Sequence, residues 1–180
     1  PNNYPVTNSL NGVYSPDPTG VTVLTTSLDR LCVHTRTGCW DIIGEIDAGF
    51  QIVPVGEGMG AFTNLAVVNL EGSLYWLGPD GVFARGDRGI PRSLSSPEVT
   101  QSGQPLGISG TIDRINLDAA DGIVGQFNPT ENVIRWWVPL DDSPYNSHVI
   151  VYDTQTGAFT LDDCGPVTAA GLVIGVDGRY

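Results

Sequence analysis

The stretch LEGSLYWLGPDGVFAR, residues 70–85, decides the fold of this chain. Apolar side chains at Leu74 and Trp76 alternate with their neighbours, which is the periodicity of a strand. The turn formers at 78–81 follow, and Gly81 can take the positive φ that tight turns need. Phe83 comes two positions after that glycine, where it can pack against the strand before the turn. The stretch therefore predicts a β-hairpin.

Two other stretches have the same pattern of strand, polar turn, glycine and then an aromatic residue. They are LDRLCVHTRTGCWDII at 28–43 and SHVIVYDTQTGAFTL at 147–161. The shared signatures are Gly38-Cys39-Trp40, Gly81-Val82-Phe83 and Gly157-Ala158-Phe159. Gly38 and Gly81 are 43 residues apart, close to the length of one four-stranded propeller blade. Helical periodicity is nearly absent, so we expect an all-β chain of β-propeller-like blades of antiparallel strands.

The hairpins divide the chain into four segments. Residues 1–86 are expected to hold the first two hairpin repeats, and 87–121 an insertion with a short helix from about Thr111 to Leu117. Residues 122–165 are expected to form a fuller four-stranded blade, with strands in 122–129 and 132–140 and the 147–161 hairpin as its outer pair. Residues 166–180 would begin a further blade. We therefore expect about three blades, which cannot close a ring alone, in an internal piece of a longer protein.

Charge narrows the possible partners. The 180 residues include 20 acidic residues against 8 arginines and no lysine, for a net charge of −12. This balance opposes binding to a phosphate backbone, which needs basic side chains to release counterions. Two interpretations stay open, namely a solubilising surface and the lining of a channel through which DNA slides. No apolar run approaches the length of a transmembrane helix, so we expect no membrane insertion.

Residues 64–99, NLAVVNLEGSLYWLGPDGVFARGDRGIPRSLSSPEV, resemble a recurring module of bacteriophage tail and virion structural proteins. The stretches GIVGQFNPTENVIRWWVPL and SHVIVYDTQTGAFT resemble the next blade of that module. The nearest families are the propeller-containing tail nozzle or tail-tube proteins of short-tailed phages and the DNA-stabilisation proteins.

The resemblance implies a structural subunit of a homo-oligomeric ring at the DNA exit channel. Its partners would be other virion tail and connector proteins, and genomic DNA would pass through without sequence-specific binding. Its location would be the virion tail, assembled in the cytoplasm of the bacterial host. The family has no catalytic residues to carry over, so we expect no catalytic, cofactor-binding or metal residue and no cofactor.

Paired carboxylates are one possible chemistry, because some propellers are glycosidases, which need two carboxyl groups facing each other across a sugar. The candidates lie in or beside predicted loops and in the insertion: Asp141-Asp142, Asp162-Asp163, Asp118 and Asp121. Adjacent residues of an extended chain point to opposite sides, so solvated carboxylates are the preferred interpretation. Residues 15–20 and 141–146 offer oxygen ligands but lack the calcium-loop pattern.

Cysteine and histidine offer a second possible chemistry. Cys32 and His34 share a strand face, and Cys39 follows the turn, so Cys32 and Cys39 could approach each other across the hairpin. The spacing fits no zinc pattern, and free thiols are the default for these two and for Cys164. The glycine-rich stretch 55–60 lacks the lysine of a phosphate loop and is expected to be a flexible link or edge loop.

Arginine and tryptophan offer possible contact surfaces. Arg85, Arg88 and Arg92 could pair with carboxylates of a neighbouring subunit, or be solvated beside Asp87. Trp136 and Trp137 must point to opposite faces of one strand, with one in the core.

Three functions remain open from the sequence. The preferred one is a structural virion protein. The alternative is a secreted or surface propeller that binds or hydrolyses carbohydrate, and a third is a bacterial scaffold for protein interaction. Propellers serve all three roles, so the fold alone does not choose between them.

Overall fold

The computed structural model describes residues 20–27, 30–45, 47–86, 89–95 and 107–167. Their strands form three antiparallel sheets of four strands, each in sequential order. The first sheet contains β1 (Val23–Ser27), β2 (Arg30–His34), β3 (Gly38–Glu45) and β4 (Gly49–Glu57). The second sheet contains β5 (Val67–Leu70), β6 (Ser73–Gly78), β7 (Gly81–Arg85) and β8 (Arg92–Ser93). The third sheet contains β9 (Val124–Asn128), β10 (Val133–Val138), β11 (Asn146–Asp153) and β12 (Phe159–Val167). The predicted all-β, blade-like fold is confirmed.

The hairpin that decided the fold is β6–β7. Gly78 pairs with Gly81 and Trp76 with Phe83, and Gly81 has a φ of 147°. The other two predicted hairpins are also present as β2–β3 and β11–β12. The first two hairpins join the second and third strands of their sheets, whereas the last joins the third and fourth. The distance from Gly81 to Gly157 is therefore not the length of a blade repeat, because the two glycines belong to hairpins at different positions in their sheets.

The segment 87–121 is only partly a connection. Arg92–Ser93 forms β8, the fourth strand of the second sheet, where Ser93 pairs with Phe83. The predicted helix from Thr111 to Leu117 is wrong in its bounds, since the α-helix α1 covers Ser109–Ile112 and a 3-10 turn covers Leu117–Gly122. Ile115, three residues past the end of the helix, instead forms an isolated bridge with Leu140.

The third sheet follows the predicted order of strands. Its first two strands lie within 122–129 and 132–140, and the β11–β12 hairpin supplies the outer pair. β12 continues to Val167, past the predicted end of the blade at residue 165. The further blade expected from 166 onward lies outside the described residues from 168.

The sheets stack face to face through two apolar cores. One core lies between the first and second sheets and includes Val23, Leu74 and Trp76. The other lies between the second and third sheets and includes Leu77 and Trp136. The first strands β5 and β9 approach each other, which is the arrangement of neighbouring propeller blades. The three sheets do not close into a ring.

Threonine side chains tie the starts of the blades together. The Thr22 hydroxyl, just before β1, donates to the Ala61 carbonyl at 2.8 Å. The Thr63 hydroxyl, before β5, donates to the Ile123 carbonyl at 3.0 Å. Each bond reaches the segment that leads into the next blade, so the inner ends of the sheets are held by side chains as well as by packing.

The link between the first two sheets is closely packed, unlike the flexible loop expected for 55–60. Val55 and Glu57 belong to β4, and the backbone of Gly60 lies against Arg36. A Cβ at Gly60 would lie 2.1 Å from the Arg36 carbonyl carbon and oxygen, and a Cβ at Gly78 would lie 1.9 Å from the Gly60 oxygen. Neither glycine leaves room for a side chain.

Gly60→Ala should therefore lower the free energy of unfolding by about 2 kcal/mol or more, because backbone must move to admit the methyl group. Urea unfolding followed by tryptophan fluorescence measures the change. Gly110→Ala is the matched control, since no atom lies within 4 Å of its Cβ position. Equal stability of the two variants would contradict the close packing.

Candidate functional site

The candidate site is a polar cluster buried between the first and second sheets. We call it the interblade cluster and define it by six residues: Arg30, Cys32, His34, Cys39, Asp41 and Arg85. Five come from β2 and β3 of the first sheet, and Arg85 comes from β7 of the second. Strand alternation places Cys32, Cys39 and Asp41 on the face that meets the second sheet.

A two-point ion pair lies at the centre of the cluster. The Arg85 Nη1 and Nη2 atoms each donate to one oxygen of Asp41, both at 2.7 Å. Arg30 Nη1 adds a third bond to the same carboxylate at 3.0 Å. Arg85 Nε donates to the Gly89 carbonyl at 2.8 Å. Asp41 is 3% exposed and Arg85 7%, so the pair is shielded from water.

The ion pair fixes the charge of both partners. Burial alone raises the pKa of Asp41, but the hydrogen bonds and positive charge of Arg85 outweigh it, so the pKa is lowered. The hydrogen bonds to Asp41 raise the pKa of Arg85 in turn. Asp41 is therefore a carboxylate at neutral pH and cannot donate a proton. This arrangement holds two sheets together and offers no acid for catalysis.

The two buried thiols are held in their protonated form. Burial, together with the negative charge of Asp41, raises the pKa of Cys32 to about 11. Burial is also the largest cause that raises the pKa of Cys39 to about 12. Cys32 pairs with Asp41 and Cys39 with His34, so the two thiols are diagonal neighbours. A nucleophilic cysteine needs the opposite shift, since only the thiolate attacks.

Of the three thiols, only Cys164 should react quickly with Ellman's reagent at pH 8, because it alone is exposed. Cys32 and Cys39 are 1% and 3% exposed, so their modification should require unfolding. The absorbance of released thionitrobenzoate gives one fast equivalent in the native protein and three in denaturant. Cys164→Ser should remove the fast equivalent, and fast labelling of that variant would contradict the buried positions.

His34 completes the cluster beside the tryptophan of the second sheet. Its ring meets Trp76 edge to face, with centroids 4.9 Å apart, and its Nδ1 atom has no hydrogen-bond partner among the described residues. Burial, with a further contribution from Arg85, lowers the pKa of His34 to about 4. The imidazole is therefore neutral at pH 7.

The low pKa of His34 should make the fold sensitive to acid. The unfolded histidine binds a proton near its ordinary pKa of 6.5, whereas the folded one does so near 4. The free energy of unfolding is therefore highest above pH 6.5 and decreases as the pH falls. At pH 4 it is lower by on the order of 3 kcal/mol, because the unfolded chain binds the proton more tightly. Urea unfolding at pH 7, 5.5 and 4.5 measures the slope. His34→Gln should flatten it and His148→Gln should not, whereas equal slopes in all three proteins would contradict the assignment.

The carboxylates singled out from the sequence do not face each other as a catalytic pair. Asp141 is bound by Arg114, whose Nε and Nη2 donate at 2.9 and 2.7 Å, and this bond is the first cause that lowers the pKa of the carboxyl group. Asp162 and Asp163 lie within β12, not in or beside a loop as expected, and both are exposed. Asp121 accepts from Arg36 at 2.9 Å.

The remaining candidates are arginines and tryptophans. Arg85 does not lie in a solvated loop, because it belongs to β7 and is buried against Asp41 of the first sheet. Arg92 is exposed on β8, and Arg88 lies outside the described residues. Trp136 is in the core, as expected for one of the two tryptophans, and donates from Nε1 to the Ala66 carbonyl at 2.9 Å. Trp137 is half-buried on the opposite face.

Asp41 and Arg30 were not selected by the sequence analysis. The usable signal is Asp41 itself, a carboxylate between the large apolar residues Trp40 and Ile42 of a predicted strand. A charge in such a place needs a buried partner. The partner is 44 positions away in another sheet, and no local pattern identifies it.

One further cavity is formed by the described residues of the third sheet and the segments beside it. A cavity of about 120 Å³ lies beside the start of β11 and is lined by Tyr145, Asn146 and Val167, among others. This is well below the roughly 300–1,000 Å³ of ordinary ligand pockets. Among the described residues, no group of three or more His, Cys, Asp or Glu is arranged to hold a metal ion. Residues 15–19 of the weak oxygen-rich stretch lie outside the described residues.

No protein-family model matches the chain, and no curated protein matches it. Within the described residues, no helix has the length and apolar character to cross a membrane.

Proposed function

We propose that this chain is a structural, non-catalytic blade module of a bacteriophage virion. Its place would be a tail nozzle, tail-tube or connector subunit that forms part of the DNA exit channel. The interblade cluster is the observation that most supports a structural role. Its carboxylate is permanently paired, its thiols are protonated and its histidine is neutral at pH 7. Such groups hold blades in register and offer no nucleophile, acid or base.

The virion assignment rests on the resemblance of residues 64–99 and of the third blade to the tail module. The net charge of −12 without a lysine is compatible with it, as it is with a solubilising surface. A wall past which DNA must slide should not bind phosphate, and an acidic surface avoids the counterion-release contacts that would hold the duplex. The propeller-like blades are compatible with this role and with others.

Particles of the phage or prophage that encodes the chain provide the test. Gold-labelled antibodies against the chain should mark one tail vertex in electron micrographs, and mass spectrometry of purified particles should detect it in a fixed ratio to the capsid protein. A nonsense mutation in its gene should give particles without a complete tail. Absence of the chain from purified particles would overturn the proposal.

A glycan panel tests the carbohydrate alternative. Hydrolysis or binding that is lost in Asp141→Asn or Asp162→Asn, with the fold intact by circular dichroism, would favour a surface propeller. The structure gives that alternative little support, because Asp141 is held by Arg114 and its carboxyl has a lowered pKa. A general acid in a glycosidase needs a raised pKa.

A further inference from the structure

The cavity beside the start of β11 has a buried hydrogen-bond acceptor among its lining residues. It lies where β11 begins and β12 ends, next to the 3-10 turn Leu117–Gly122, and its volume is about 120 Å³. This is the space of about four water molecules, at roughly 30 Å³ each. We call it the β11 cavity, and its lining residues are Ala119, Gly122, Pro144, Tyr145, Asn146 and Val167.

Asn146 provides the buried acceptor. The residue is 2% exposed, and its Nδ2 donates to the Gly122 carbonyl at 2.7 Å, which fixes the orientation of the side-chain amide. The other branch of the amide, Oδ1, accepts no hydrogen bond from the described residues. A buried acceptor without a donor costs free energy. A donor that enters the cavity and reaches Oδ1 would therefore bind favourably.

Gly122 leaves space in front of this oxygen. Apart from the chain neighbours of Gly122, the described residues place one atom within 4 Å of the position that a Cβ would take there, and this atom is Asn146 Oδ1 at 4.0 Å. The φ of Gly122 is not positive, so the backbone there also accepts an alanine. The open space beside Gly122 thus extends to the unpaired oxygen.

The charges around the cavity favour a cation. Five of the six lining residues come from the segments 117–122 and 140–146, which contain no basic residue. The same segments contain four aspartates, Asp118, Asp121, Asp141 and Asp142. Arginines from other segments pair with two of them, whereas Asp118 and Asp142 are exposed and form no ion pair with a described residue. Carboxylates around a cleft raise the local concentration of cations.

The other lining side chains suit a cation that ends an alkyl chain. Tyr145 is 51% exposed, so its ring is available to an ammonium group, which aromatic rings attract. Pro144 and Val167 add apolar surface that methylene groups can cover. An unpaired acceptor, an aromatic ring and nearby carboxylates together favour a positively charged donor over a neutral or negatively charged one.

We propose that the β11 cavity binds a primary alkylammonium group, which donates to Asn146 Oδ1 while its alkyl chain passes Tyr145. The volume admits the ammonium and a few methylene groups, and is too small for ligands that need an ordinary pocket. Its source is a lysine side chain of another protein or a free alkylamine, since this chain contains no lysine. The site does not depend on the virion role.

Nuclear magnetic resonance titration of the 180-residue chain tests the site, with n-butylammonium as the probe and n-butanol as its neutral counterpart. We expect n-butylammonium to shift the side-chain amide signals of Asn146 and the backbone signals of Gly122 and Tyr145, with a Kd on the order of 1–10 mM. n-Butanol should bind at least about tenfold more weakly, because it lacks the charge. Nα-acetyl-lysine N-methylamide distinguishes the sources: comparable binding indicates a lysine residue, and weaker binding a free amine.

Two substitutions locate the site. Gly122→Ala should weaken the binding of n-butylammonium more than about tenfold, because the methyl group occupies the space beside Oδ1. Tyr145→Ala should weaken it about two- to fivefold, the effect of losing a cation–π contact at an exposed position. Gly110→Ala is the matched control, since it adds the same methyl group away from the cavity. Circular dichroism verifies that each variant folds.

Saturable shifts at the cavity that Gly122→Ala weakens and Gly110→Ala leaves unchanged support the proposal. Absence of saturable shifts up to about 100 mM n-butylammonium, well above the expected Kd, overturns it. Equal binding of n-butanol also overturns it, because the site would then select a donor without regard to charge. Shifts that saturate at another surface, or an affinity that Gly122→Ala does not change, overturn it as well.

Discussion

Arg85→Met should lower the free energy of unfolding by about 3–5 kcal/mol, because it leaves the buried carboxylate of Asp41 without its main partner. Two bonds of 2.7 Å are lost, and the carboxylate is only 3% exposed. Arg30 remains at 3.0 Å, so the loss should lie toward the lower end of that range. Urea unfolding at pH 7 measures it.

Two control variants distinguish the effect of breaking the buried ion pair from the effect of removing an arginine side chain. Arg114→Met breaks a two-point pair with Asp141 of 2.9 and 2.7 Å, but this pair is exposed to water and its loss should change stability little. The double variant Asp41→Leu/Arg85→Met should recover much of the loss, because two apolar residues can replace a buried pair. Arg30 is 23% exposed and can then be hydrated. Equal losses for Arg85→Met and Arg114→Met would contradict the buried interblade pair.

Trp136→Ala should cost about 3–5 kcal/mol, the usual range for removing a buried aromatic side chain. Trp136 is 0% exposed, lies in the core between the second and third sheets and donates to the Ala66 carbonyl. Its ring also fills the space above Gly125, where a Cβ would lie 2.7 Å from Nε1. The substitution therefore leaves a cavity between two sheets and an unpaired carbonyl.

The neighbouring tryptophan is the matched control. Trp137→Ala changes the same side chain on the same strand but on the half-buried face, so it should cost less than half as much. Trp136→Phe should give an intermediate loss, because it keeps most of the volume and removes the hydrogen bond. Equal losses at 136 and 137 would show that the strand faces are assigned wrongly.

The hairpins could be predicted from the sequence because a hairpin is a local structure. The glycine at position 81 and the alternation around Leu74 contain nearly all the information that forms β6–β7. Strand β8 was missed because it has two residues, Arg92 and Ser93, and no alternation to detect. The helix was extended too far because Ile112 and Ile115 have helical spacing, while the bridge from Ile115 to Leu140 depends on a distant strand.

The candidate site was harder to predict than the fold. Cys32, Cys39 and His34 were correctly placed around one turn, but the decisive neighbours were not local. The pKa values of all three depend on burial by the second sheet and on Arg85, which is 53 positions from Cys32. Arg85 lies between two blades of the same chain, where its partner is Asp41. Long-range packing, which strand periodicity does not describe, determines the chemistry of this cluster.

The sequential strand order of each sheet has a consequence for the rate of folding. Every strand pairs only with its neighbours along the chain, so the loops that must close are short and contact order within a sheet is low. We therefore expect each sheet to form before the sheets dock against one another. The bond between Asp41 and Arg85 joins two sheets, so it would form on docking, and its loss should then mainly raise the unfolding rate.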